Sequence, residues 1–179
     1  MRRLFLTLLL AAFAAAPALA ALAVGATAPT FKTEASLGGK VFPFNLSAAL
    51  AKGPVVLYFY PAAFTQGCTM EAHDFAEHIS DYTKLGATVI GVSGDDIAKL
   101  TKFSVSECRS KFAVASDANH AISKEYDALL TDQGDEYSNR TSYVIAPNGK
   151  IVYTYTSLDP SKHVANTLAA LQKLQAANR

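Results

Sequence analysis

Cysteine is scarce in this 179-residue chain, which has two, and that scarcity excludes one class of fold at once. Small exported domains that cannot build a sufficient core are held by several disulfides, and Cys68 with Cys108 cannot supply such a framework. A charge excess is also missing: 16 Lys and Arg stand against 15 Asp and Glu, a formal +1. Nothing in that balance points to nucleic acid or anionic lipid as a partner. Internal repeats, low-complexity tracts and linkers are absent from the sequence after residue 20, so the remaining length suits one compact domain with a single core. A C-x-x-C pair is missing too, because Thr69, Met70 and Glu71 follow Cys68, which argues against a thiol–disulfide oxidoreductase. The four histidines, His73, His78, His120 and His163, have no metal-ligand spacing to either cysteine, and surface or packing roles are expected of them.

What is present begins with a leader. Residues 1–20, "MRRLFLTLLLAAFAAAPALA", open on Arg2 and Arg3, continue as an uncharged apolar stretch and end on the small-x-small pattern Ala18-Leu19-Ala20. This is the pattern of a cleaved export signal, and Pro17 with the alanine-rich end favours processing over an uncleaved anchor. The expectation is a mature domain over residues 21–179, exported to the periplasm, with no lasting membrane association. Without Arg2 and Arg3 the Lys and Arg count falls from 16 to 14 against 15 acids, a formal −1.

The mature part alternates two kinds of segment. "LGGKVFPFNL", around Gly38-Gly39, predicts a hairpin. "PVVLYFY", Pro54 to Tyr60, and "ATVIGVS", Ala87 to Ser93, are continuous β-rich apolar runs, as strands buried on both faces require. Between them Cys68, Ala72, Phe75, Ile79 and Tyr82 recur at helical spacing, with Leu85-Gly86 as the stop. Helices are expected over Asp95 to about Arg109 and over His120 to Leu129. A hairpin is expected where "TSYVIA" and "KIVYTYT" flank Asn148-Gly149, and a last helix opens at Asp159-Pro160. That order predicts an α/β sandwich with a mixed central sheet flanked by helices, with a thioredoxin-like topology preferred and an N-terminal β-hairpin extension.

Cys68 lies in "YFYPAAFTQGCTMEAHDF", residues 58–75, at the junction of a buried strand and a helix. In the first helical turn, unpaired backbone N–H groups and the positive end of the dipole favour negative charge. Thr65 can hydrogen-bond a sulfur or a bound oxygen, and Gly67 lets other groups approach the backbone. A buried helix cysteine that packs as a small hydrophobe is the plainer alternative.

Pro61, Thr65 and Cys68 spell P-x-x-x-T-x-x-C, and the stretch resembles the active-site segment of the peroxiredoxins, closest in character to the bacterioferritin comigratory protein, or Q-type, branch. The resemblance extends from "VGATAPTF" through "LGATVIGVS" to "RTSYVIAPNGKI". It implies a thiol-dependent peroxidase in which Cys68 attacks hydrogen peroxide or an alkyl hydroperoxide and becomes a sulfenic acid. It further implies that Arg140 and Thr65 stabilise the charge moving onto the departing oxygen, that Pro61 shields the sulfur, and that Glu71 positions Arg140. No metal, haem or flavin is implied. The partners implied are a hydroperoxide and a thioredoxin-like or other dithiol reductant, acting on a monomer.

One departure bears on mechanism. Many Q-type members carry a resolving cysteine five residues after the peroxidatic one, but here that position is His73. Cys108 in "KFSVSECRSKF" remains, and the resemblance implies that it resolves the sulfenate after local unwinding; the alternative is a buried thiol in a one-cysteine enzyme. Outside this family, the alternatives are a redox-inert thioredoxin-like binding module and a copper chaperone, which rapid loss of one thiol on adding peroxide would exclude.

Overall fold

The computed structural model describes residues 21–177; the leader read from residues 1–20 lies outside the described residues. Numbered in chain order, β1 spans Lys32–Leu37 and β2 Lys40–Asn45. Gly38 and Gly39, with φ of 55° and 83°, form the two-residue turn between them, a conformation that carries a steric cost for any residue with a Cβ. α1 is Leu46–Leu50, β3 Val55–Phe59, α2 Gln66–Lys84, β4 Thr88–Ser93 and α3 Ile97–Ser106. β5 is Ala113–Ser116, α4 Ala121–Glu125, β6 Leu129–Asp132 and β7 Asp135–Ser138. β8, Thr141–Ile145, β9, Ile151–Thr156, and α5, His163–Ala177, complete the chain.

Seven strands form one sheet in the order β2-β1-β5-β4-β3-β8-β9. β3 pairs parallel with β4 and antiparallel with β8, so the sheet is mixed and β3 lies inside it. The N-terminal hairpin extends this sheet, because β1 pairs antiparallel with β5 through Ala35 and Ala115. All five β3 residues are buried, and their side chains alternate between faces. Val55, Leu57 and Phe59 join one apolar layer with Tyr126 and Tyr143. Val56 and Tyr58 join the other, which contains Phe75, Leu100, Phe103, Phe112 and both cysteines. Burying side chains of this size contributes on the order of 1.5–3 kcal/mol each, which is why the apolar runs dominate the fold.

Four features differ from the sequence expectation. α3 ends at Ser106, short of Arg109, because Arg109 and Ser110 take left-handed φ values of 51° and 57° that no right-handed helix can include. α4 stops at Glu125 for the same reason, with Asp127 at φ 49°. The small hairpin of β6 and β7 was not foreseen; it turns on Gln133 and Gly134, both at positive φ. The short α1 was also unforeseen, although its signal is Asn45, whose Oδ1 accepts from Ala48 N–H at 3.3 Å.

Candidate active site

The segment that follows β3 is placed by the sheet and by one carboxylate. Tyr60 N–H continues the strand pairing by donating to Val92 O at 3.1 Å. Three residues on, Ala63 N–H donates to Asp95 Oδ2 at 2.6 Å, and Asp95 is itself held by Ser93 Oγ at 2.8 Å. Phe64 then adopts a φ of 69°, which turns the chain into α2. Thr65 is the N-cap by backbone position, but its hydroxyl accepts no hydrogen bond from the helix and donates to Ala62 O at 3.0 Å. Pro61 is half-buried and Thr65 exposed.

Cys68 is the third residue of α2 and 2 % exposed. Arg140, immediately before β8, reaches across from the adjacent strand, and its Nη2 donates to Cys68 Sγ at 3.4 Å. Every guanidinium edge is engaged: Nη1 donates to Glu71 Oε2, and Nε donates to Leu158 O at 2.9 Å. Gly67 makes room for this, since a Cβ there would lie 3.1 Å from Nη2. The absence of a side chain at residue 67 is therefore a fit to Arg140.

Glu71 is fully buried, and burial pushes its carboxyl up to about 8, with Arg140 pulling the other way. Burial disfavours charge on Arg140, yet Glu71 and Cys68 together hold its pKa above the ordinary value. The two directions bear on one another, because Arg140 is favoured by a carboxylate while burial keeps the proton on that carboxylate into the neutral range. A guanidinium stays charged in either case, so the group that titrates is Glu71. Its Oε1 has no hydrogen-bond partner and lies 3.6 Å from His163 Nδ1.

His163, the first residue of α5, is a residue that sequence reasoning left among generic packing positions. It is fully buried; Nε2–H donates to Ser157 O at 2.9 Å, and Nδ1 accepts from Ser142 Oγ at 2.8 Å. Burial lowers its pKa, so the neutral ring is favoured. Ser157 N–H in turn donates to Arg140 O at 3.1 Å. His163 thus supports the turn whose next carbonyl, that of Leu158, holds Arg140 Nε. An Asp-Pro helix start four residues upstream was the available signal, but nothing in the sequence pairs residue 163 with residue 71.

Of the six residues singled out in the sequence, the fold joins Cys68, Arg140 and Glu71 in one contact set, with Pro61 and Thr65 in the segment that leads into α2. Cys108 is apart from that set. It follows α3, is fully buried, and is a free thiol like Cys68. Burial, with a smaller contribution from Glu107, pushes its pKa far above the ordinary thiol range. A cavity of about 460 Å³ lined by Phe42, Phe44, Ile79, Lys111 and Phe112, among others, includes none of the six. That hollow is mostly apolar and lies apart from the contact set of Cys68, Arg140 and Glu71.

The AhpC/TSA family model matches residues 24–154. Peroxiredoxin Q, chloroplastic, of Oryza sativa subsp. japonica is 37% identical over 152 residues, covering 84% of this chain and 67% of the rice protein. The Sedum lineare protein of the same name is 34% identical over 152 residues, covering 84% of this chain and 78% of its own length. Among solved structures, peroxidoxin BcpB from Mycobacterium tuberculosis superimposes with a TM-score of 0.76 at 30% identity, covering 84% of this chain and 97% of that one. The fold and these relatives define the class: a thiol-dependent peroxidase, an oxidoreductase with a thioredoxin-like fold. The chain belongs to the AhpC/TSA family, within which its named relatives are peroxiredoxins.

The same relatives correct one expectation. The rice and Sedum proteins are chloroplastic by name, which overturns periplasmic export. The physical reason is that a basic, acid-poor leader is common to export signals and organelle transit segments, so Arg2 and Arg3 ahead of an acid-free stretch do not specify the periplasm.

Proposed function

We propose that Cys68 is the peroxidatic nucleophile and that Arg140, positioned by Glu71, is its electrostatic partner. The observation that carries this is the Nη2 to Sγ hydrogen bond of 3.4 Å, made by a guanidinium whose other edges are occupied by Glu71 and Leu158 O. A cation locked in this way favours the thiolate and presents fixed donors to the peroxide oxygens. In the reaction the sulfur attacks the terminal peroxide oxygen, an S–O bond forms, and the O–O bond breaks. The electron pair leaves on the second oxygen, which takes a proton and departs as water or an alcohol. Thr65, which is exposed, turns its hydroxyl from Ala62 O to the oxygens, and Pro61 shields the sulfenic acid.

Cys108 completes the cycle as resolving thiol, with a dithiol reductant of the thioredoxin kind restoring both cysteines. Hydrogen peroxide and alkyl hydroperoxides are the substrates, the protein acts as a monomer, and residues 21–179 are the working domain after loss of a targeting leader. The chloroplastic names of the relatives point to an organelle as its compartment. Non-reducing mass spectrometry after one equivalent of peroxide tests this reading. A Cys68–Cys108 peptide and the loss of two hydrogens' mass are expected. Cys68 recovered as a free thiol would overturn it.

A further inference from the structure

Cys108 sits in a turn that is both strained and held. Arg109 and Ser110, which follow it, have φ of 51° and 57°, two consecutive residues with a Cβ in the left-handed region. Backbone hydrogen bonds from Cys108 N–H to Phe103 O at 3.1 Å and from Ser110 N–H to Ser104 O at 2.9 Å oppose that strain. Two side chains of α2 oppose it as well. His73 Nε2 meets Glu107 Oε2 at 2.8 Å, and Arg109 Nη1 donates to Glu77 Oε1 at 3.1 Å. His73 and Glu77 are four residues apart and so share one helix face. Glu107 and Arg109 bracket Cys108 by one residue on each side.

We propose that His73 and Glu77 are positioning residues for the resolution step: they hold the turn of Glu107 to Ser110 against α2 and set how often it opens to release Cys108. The inference rests on Cys108 being the resolving thiol. In that step the Cys108 sulfur attacks the Cys68 sulfur, the S–S bond forms, the S–O bond breaks, and the hydroxyl leaves as water with the Cys108 proton. No oxidant beyond the peroxide already consumed is required. A fully buried thiol cannot make that attack until its turn opens. The two clamps therefore act on the lifetime of the sulfenic acid and on how much of it a second peroxide converts to sulfinic acid.

Alkylation of Cys108 by iodoacetamide in a Cys68→Ser background reads the opening alone, whatever chemistry Cys108 performs. Adding His73→Ala and Glu77→Ala should raise that rate by about two- to tenfold, the size expected from losing two partly exposed pairs. Salt at ~1 M should accelerate the parent in the same direction, because it screens the Arg109–Glu77 pair. Glu77→Arg alone should be fast, and Glu77→Arg with Arg109→Glu should return towards the parent, a rescue that a general loosening of the fold would not produce. With Cys68 restored, the His73→Ala, Glu77→Ala protein should consume its first peroxide at the wild-type rate, form the disulfide faster, and accumulate less sulfinic acid. An unchanged alkylation rate in the double variant, or no rescue by the charge swap, would overturn the clamp. A Cys108→Ser enzyme that cycles as fast as wild type would overturn the link to resolution, leaving the alkylation rates to judge the clamp separately.

Discussion

Cys68 and Cys108 occupy the same apolar layer on the same side of the sheet, both almost wholly out of water. Their surroundings differ in charge: Cys68 receives a hydrogen bond from the Arg140 guanidinium, whereas Cys108 has an acidic neighbour, Glu107. Burial raises the cost of a thiolate wherever it occurs. At Cys108 that burial, with Glu107 beside it, pushes the thiol pKa up, while at Cys68 a guanidinium held on its other edges faces the sulfur. The lesson is that two sulfurs equally deep in one core can face opposite charge, and depth alone does not distinguish them.

The sharpest way to break the comparison is to remove the first sulfur. Cys68→Ser should abolish peroxide consumption, since a hydroxyl at neutral pH is a poor nucleophile towards O–O bonds. Residual turnover in a peroxide-electrode assay would move the chemistry to Cys108. Removing the second sulfur should separate the two roles. Cys108→Ser should match wild type in a single-turnover stopped-flow measurement, then fail to cycle with a dithiol reductase and accumulate sulfenic and sulfinic acid at Cys68.

A smaller effect is expected from Arg140→Lys, which leaves a charge near Cys68 but cannot hold Glu71, Leu158 O and the sulfur at once. The second-order rate with peroxide should fall on the order of a hundredfold, while the disulfide-forming step, measured separately, should be little changed. An equal loss in both steps would mean that Arg140 serves the fold and not Cys68.

The smallest effect concerns pH and stability. Glu71 has its folded value raised from 4.5 to about 8, so the native state binds the proton more tightly than the unfolded chain. Its stabilising contribution is complete below the unfolded value and is lost as pH rises through the folded one. Between about pH 5 and about pH 8, wild type should lose more thermal stability than Glu71→Gln, by on the order of 5 °C in Tm. Parallel melting curves for the two proteins would show that Arg140 keeps the carboxylate ionised throughout.

Much of this was legible before the fold. The apolar run at Val55 to Phe59 reads as an interior strand because strands covered on both faces have no polar side to alternate with. Cys68 reads as the start of a helix because the repeat of Ala72, Phe75, Ile79 and Tyr82 follows it. Arg140 was found only through the resemblance, as was its pairing with Glu71. Read from the sequence, His163 has no more than a surface or packing role and Asp95 no more than a helix start, because the contacts that set them apart, to Ser142 and Ala63, are distant in sequence.

Local sequence determined the elements of this protein, since hydrophobic period, turn glycines and capping side chains act over a few residues. It placed Cys68 in a first helical turn with Gly67 beside it. Only the tertiary structure decided that Arg140, from the adjoining strand's edge, would meet that sulfur and that Glu71, Leu158 and His163 would immobilise the guanidinium. It also decided that Cys108 would be shut into the core behind a left-handed turn. Charge and burial are properties of what surrounds a group in space, and a chain acquires them when its sheet brings residues 68 and 140 together.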